Sequence, residues 1–154
     1  MMVYTITNDD ERTYDCALTL ATRFCTSFQL VVRNENAPSQ EELTWTRDVD
    51  VLAKWRASSW PGTELIGADA LLVRFRLDQV GLAFLRSHSR FSDWYSPGPE
   101  DLSLWRSDGT WLLGSISHEH DVFLQLTELE KSVIRSDFPL LDAQIQRDEP
   151  EARS

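Results

Sequence analysis

Residues 101–126 restrict what this chain can fold into more than any other stretch. Residues 101–106 set Leu102, Leu104 and Arg106 against Ser103 and Trp105, Ser107-Asp108-Gly109 is a hairpin turn signal, and the β-prone runs 111–117 and 122–126 follow. Strand side chains point alternately to opposite faces, and Asp-Gly supplies the positive φ that tight hairpins need. The pattern therefore predicts three consecutive antiparallel strands, a β-meander.

The rest of the chain supplies the layers around it. Val3 to Thr7 is a short β-prone run, and Asn8-Asp9-Asp10 can cap a helix in which Tyr14, Ala17, Leu18, Leu20, Ala21 and Phe24 form one stripe, ending near Cys25. Ser27 to Arg33 reads as a largely buried strand, and residues 34–40 as the loop that ends it. In residues 41–58, Trp45, Val49, Leu52 and Trp55 recur at offsets of four, three and three, which favours a helix over the alternation also visible there. Trp60-Pro61-Gly62-Thr63 breaks it. Residues 68–77 alternate as a half-buried strand carrying Arg74 and Arg76 on one side. Asp78 then caps a helix with Val80, Ala83, Phe84 and Leu85 facing inward. Thr127 and Glu130 stand at capping-box spacing before a helix whose apolar face is Leu129, Val133 and Ile134. The expected architecture is a single α+β domain over residues 1–145, a mainly antiparallel sheet with a C-terminal three-strand meander and helices packed on one face. Residues 146–154 are expected to be a frayed polar tail.

Charge narrows the function classes. The 154 residues hold 15 Lys and Arg against 25 Asp and Glu, a formal charge of -10, which has the wrong sign for general attraction to nucleic acid or anionic lipid. No apolar run approaches the length of a membrane span, and residues 1–5 lack the basic and apolar parts of a secretory signal, so a cytoplasmic location is expected. Cys16 and Cys25, nine apart and without a metal-ligand spacing, read as reduced, packed thiols.

Ser117-His118-Glu119-His120-Asp121 concentrates ligand-type side chains. Were the backbone extended there, His118 and His120 would share one face and could hold a divalent metal with a third ligand from His88 or Asp93, the basis of a metal-assisted hydrolase. Glu100 and Asp101, after Pro97-Gly98-Pro99, form a second acidic pair. Arg74 and Arg76 could pair with the acids at 100, 101 or 119, or receive an anionic group. Of the six tryptophans, Trp60, Trp94 and Trp105 could line a small-ligand groove, and Trp105 and Trp111 face each other across the Asp108-Gly109 turn. Nucleophile-elbow and glycine-rich phosphate-loop signatures are absent, and no cofactor is implied.

The run Pro99-Glu100-Asp101-Leu102-Ser103-Leu104-Trp105-Arg106, then Asp108-Gly109, Trp111 and Ser115-Ile116-Ser117-His118-Glu119, resembles a pattern of small bacterial proteins in which a PEDL-type strand leads through a turn to a strand ending in His-Glu. The resemblance also touches Trp60-Pro61-Gly62-Thr63 and covers the second half of the chain. Some proteins of this kind are similar to immunity proteins that neutralise partner toxins. The resulting expectation is a non-enzymatic binding protein that meets a basic protein partner through Glu100, Asp101, Trp105, Glu119 and Asp121.

Overall fold

A computed structural model describes residues 1–33, 48–95 and 98–148. Along the chain run β1 (Met2–Ile6), α1 (Glu11–Phe24), β2 (Ser27–Val32), β3 (Val51–Ala57), β4 (Ser59–Trp60), β5 (Thr63–Glu64), β6 (Ala70–Arg76), α2 (Gln79–Leu85), β7 (Glu100–Trp105), β8 (Trp111–Ile116), β9 (Asp121–Leu126), α3 (Glu128–Asp137), α4 (Pro139–Asp142) and β10 (Ile145–Arg147). Single 3-10 turns lie at Phe91–Asp93 and Ser117–Glu119. Eight strands form one sheet in the order β10-β1-β9-β8-β7-β2-β6-β3, with antiparallel pairings throughout. This is the single α+β domain that the alternation and the helical stripe predict, with β7, β8 and β9 as the meander.

One face of the sheet carries the core. Phe28, Leu30, Val73, Phe75, Leu102, Leu104, Leu113 and Leu124 pack there against Tyr14, Ala17, Leu18 and Ala21 of α1, Leu85 of α2, Ile134 of α3 and Leu141 of α4. Fully burying a side chain of this size contributes roughly 1.5–3 kcal/mol, so this layer is what holds the helices on one side. The helix starts are fixed locally. Asp10 accepts from the Thr13 N–H at 2.8 Å, and Thr127 and Glu130 complete both halves of their capping box. The other face is closed only in part, where the β4–β5 hairpin brings Trp60 onto Val31, Ala70 and Leu72. Its turn at Pro61-Gly62 settles over β8 and β9, because Gly114 has no side chain; a Cβ there would lie 2.4 Å from the Phe123 ring and 2.9 Å from Pro61.

Several expectations need correction. Residues 51–57 are strand β3, not helix, because they pair with β6; the β-bulge between Val51 and Ala53 interrupts period-two alternation and left a helix-like spacing. Residues 41–47 lie outside those described. In α2 the inward residues are Gly81 and Leu85, with Leu82 and Phe84 packed on the core, whereas Val80 and Ala83 face solvent. A Cβ at Gly81 would sit 2.3 Å from the Arg76 carbonyl oxygen, so the helix closes on the sheet at that residue and rotates its stripe. Leu129 is 68% exposed, leaving Ile134 as the buried apolar anchor of α3. The expected tail begins as strand β10, with Gln146 opposite Thr5 and Arg147 opposite Tyr4; residues 149–154 lie outside those described. Among the described residues no helix is long and apolar enough to cross a membrane.

Candidate functional site

The acidic pair at the start of β7 is built into the fold. Glu100 is 5% exposed and Asp101 1%, and Arg33, at the end of β2, forms ion pairs with both. Asp101 has a left-handed backbone, φ 52°, a conformation that Asp tolerates better than most residues. Its Oδ1 accepts from the Ser117 N–H at 2.9 Å and its Oδ2 from the Trp60 indole N–H at 2.9 Å, while its own N–H donates to Ser117 Oγ at 3.0 Å. The Arg33 guanidinium also lies 5.0 Å from the centre of the Trp60 ring. Glu100 and Asp101 are therefore enclosed and share one guanidinium, and they tie β7 to the β4–β5 hairpin and to the turn after β8. Arg33 is the residue that sequence reasoning missed. It follows a fully buried strand, and the only available signal was a cation emerging at that strand's end.

The histidine segment does not keep the extended backbone on which two imidazoles would share a face. Ser117–Glu119 is a 3-10 turn and His120 is left-handed, φ 57°. His118, Glu119, His120 and Asp121 are all exposed, with His118 Nε2 3.7 Å from Glu119 Oε1. Among the described residues no group of three or more His, Cys, Asp or Glu side chains is arranged to hold a metal ion. The Phe91–Asp93 turn packs against the Ser117–Glu119 turn, but the side chains of Asp93 and His88 are engaged locally. His88 stacks on Trp94 at 3.7 Å between ring centres, and Asp93 accepts from the Ser89 and Arg90 N–H groups. Cys16 and Cys25 are free thiols, and burial pushes the Cys25 pKa up to about 12.

Trp105 does not share a margin with the acids. Trp105 lies at the far end of β7 from Glu100 and Asp101, about 16 Å along the strand, opposite Trp111 of β8. Glu119 and Asp121 stay at the Asp101 end, where the Ser117 hydrogen bonds hold their turn. Nor do Trp60, Trp94 and Trp105 line a groove. Trp94 is buried under the helices and donates to the Tyr14 hydroxyl at 3.1 Å, while Trp60 and Trp105 lie on the other face. A depression of about 720 Å³ beside β3 is polar rather than apolar; Arg56, Asp69 and Ser58 line it, and no tryptophan does.

What the open face and its margin do present is different. Strand β3 ends the sheet with β6 as its one neighbour among the described residues, and Leu52 to Arg56 are exposed without interruption. Trp55 points to the open face, the face of its pairing partner Leu72, whereas Lys54 and Arg56 point to the helix side. Arg56 pairs with Asp69 at 3.1 Å, but Lys54 makes no ion pair among the described residues. One strand inward, Arg76 pairs with Asp50 at 2.8 Å. Among the described residues Arg74 pairs with no carboxylate; it does not meet the acids at 100, 101 or 119. Its guanidinium reaches over β2 to lie 4.0 Å from the centre of the Trp105 ring, with Trp55 at 5.3 Å, and donates to Gln29 Oε1 at 2.7 Å. Burial lowers its pKa from the ordinary arginine value. Compared with family models, curated proteins and solved structures, the chain matches none.

Proposed function

We propose that the protein is a non-enzymatic binding domain that captures an extended, acidic segment of a protein partner along the edge of β3. The observation that carries this is the uninterrupted exposure of Leu52 to Arg56 on a strand that, among the described residues, ends the sheet with one neighbour. A free edge displays unpaired N–H and C=O groups, and adding a strand satisfies them. The neighbouring side chains select the occupant. Of the basic residues on β3 and β6, Arg56 and Arg76 are paired with Asp69 and Asp50, which leaves Lys54 on the helix side and Arg74 on the open face without a carboxylate among the described residues. An acidic strand gains opposite charge at Lys54 and apolar contact with Leu52 or Trp55, whereas a second copy paired through the middle of β3 would set Lys54 against Lys54 or Arg56.

This reading takes an acidic partner where the sequence suggested a basic one. With Glu100 and Asp101 consumed by Arg33, the acidic residues left to meet a basic surface from the original set are Glu119 and Asp121. Titration with a short capped peptide alternating threonine and glutamate, against its threonine-lysine counterpart, tests the proposal through Trp55 fluorescence. The acidic peptide is expected to bind and Lys54→Glu to weaken it about tenfold. Equal binding of the lysine peptide, or self-association through β3 in its place, would overturn it.

A further inference from the structure

We infer that Arg74 is a recognition point for a carboxylate group on the open face of the sheet. Its side chain is placed from three sides. Trp105 lies beneath it, Trp55 flanks it, and Gln29 holds Nη2. Trp105 is itself fixed, because its indole N–H donates to Ser103 Oγ at 2.8 Å. The guanidinium therefore has a set orientation before anything binds, which removes much of the ordering cost of recognition.

Its hydrogen-bonding capacity is left open. Nε is buried and has no acceptor, and Nη1 makes no hydrogen bond among the described residues and is not buried. The buried Nε is sealed from solvent, so the edge that can receive a ligand is the one formed by Nη1 and the second proton of Nη2. The described carboxylates nearby are committed. Asp50 is bound to Arg76, Asp69 to Arg56, and Glu100 and Asp101 to Arg33. A planar, weakly hydrated guanidinium stacked on an indole matches a carboxylate, which is also planar and accepts two parallel N–H bonds. A phosphate dianion is the poorer fit, because the nearest cation on this strand, Arg76, is already neutralised. The source of the carboxylate as a side chain or C-terminus of a protein rests on the docking reading above; the site itself does not.

The test uses the full chain and phenylacetate as probe, followed by the NMR signals of the Arg74 Nε–H and the Trp105 indole N–H. Both are expected to shift saturably at millimolar phenylacetate and to ignore phenylacetamide, the neutral isostere, with inorganic phosphate acting more weakly. Arg74→Gln should abolish the response, and Arg74→Lys should weaken it by about tenfold, since the charge remains but the planar fork is lost. Absence of any shift, an equal response to phenylacetamide, stronger binding of phosphate, or full binding by Arg74→Lys would each overturn the inference. The probe comparison on the unsubstituted chain needs no variant to fold. Silence at Arg74 with protected β3 amides in the presence of the acidic peptide would remove this site and leave the edge reading standing, and the opposite pattern would do the reverse.

Discussion

The Trp60 indole N–H donates to Asp101 Oδ2 at 2.9 Å, and this bond turns an acid that looks available in sequence into a strut between the β4–β5 hairpin and the meander. Removing the carboxylate leaves the Trp60 N–H, the Ser117 N–H and part of Arg33 without acceptors. Asp101→Ala is expected to cost about 3 kcal/mol in urea unfolding. Asp101→Asn, which tolerates the left-handed backbone and keeps one acceptor oxygen, should cost about half as much.

Gly62 gives an independent probe of the hairpin. Its φ is +84°, and a Cβ would lie 2.4 Å from the end of the Phe123 ring. Gly62→Ala should therefore lower stability by about 1–3 kcal/mol, through backbone strain and through lifting the hairpin from the sheet. Thermal unfolding measures the loss, and near-ultraviolet circular dichroism should change as Trp60 shifts.

Arg106 and Glu130 make a second buried tie, with Nε and Nη2 of Arg106 at 2.8 and 2.6 Å from the two carboxylate oxygens. Burial alone would push the Glu130 pKa up, but the Arg106 and Thr127 hydrogen bonds together hold it below the ordinary glutamate value of 4.5. A carboxyl whose pKa is depressed by folding stabilises above its unfolded value and loses that contribution as pH falls through the lower folded value. Unfolding free energy should accordingly drop below pH 4.5. Glu130→Gln should cost about 3 kcal/mol at neutral pH and flatten that drop.

His88 titrates in a higher range. Burial against Trp94 lowers its pKa from 6.5, with Asp93 opposing. The folded state prefers the neutral ring, so its contribution is complete above pH 6.5 and is lost as pH falls through the lower folded value. The melting temperature should decline across that interval in the unsubstituted chain. His88→Phe, which keeps a stacked ring without a titrating nitrogen, should remove this component.

The α+β class, the meander and the capped starts of α1 and α3 were legible because each rests on local rules: alternation, Asp-Gly, and side chains that reach orphan backbone donors. Strand β3 was not, since its pairing with β6 is long-range and its bulge disturbs the period that would reveal it. The candidate site failed for a related reason. Glu100 and Asp101 lie far in sequence from Arg33 and Trp60, and no spacing within 99–121 could show that both are already partnered. Arg74 was visible as a base on one strand face, but its lack of an acid became visible only once the partners of every described neighbouring carboxylate were known.

Amide hydrogen exchange of β3 tests the central claim most directly. In the free protein the outward N–H groups of Val51–Ala57 should exchange fast, and saturating threonine-glutamate peptide should slow alternate ones by at least about tenfold while leaving β10, at the opposite edge, unchanged. Exchange along β3 that stays the same with and without bound peptide would contradict the account.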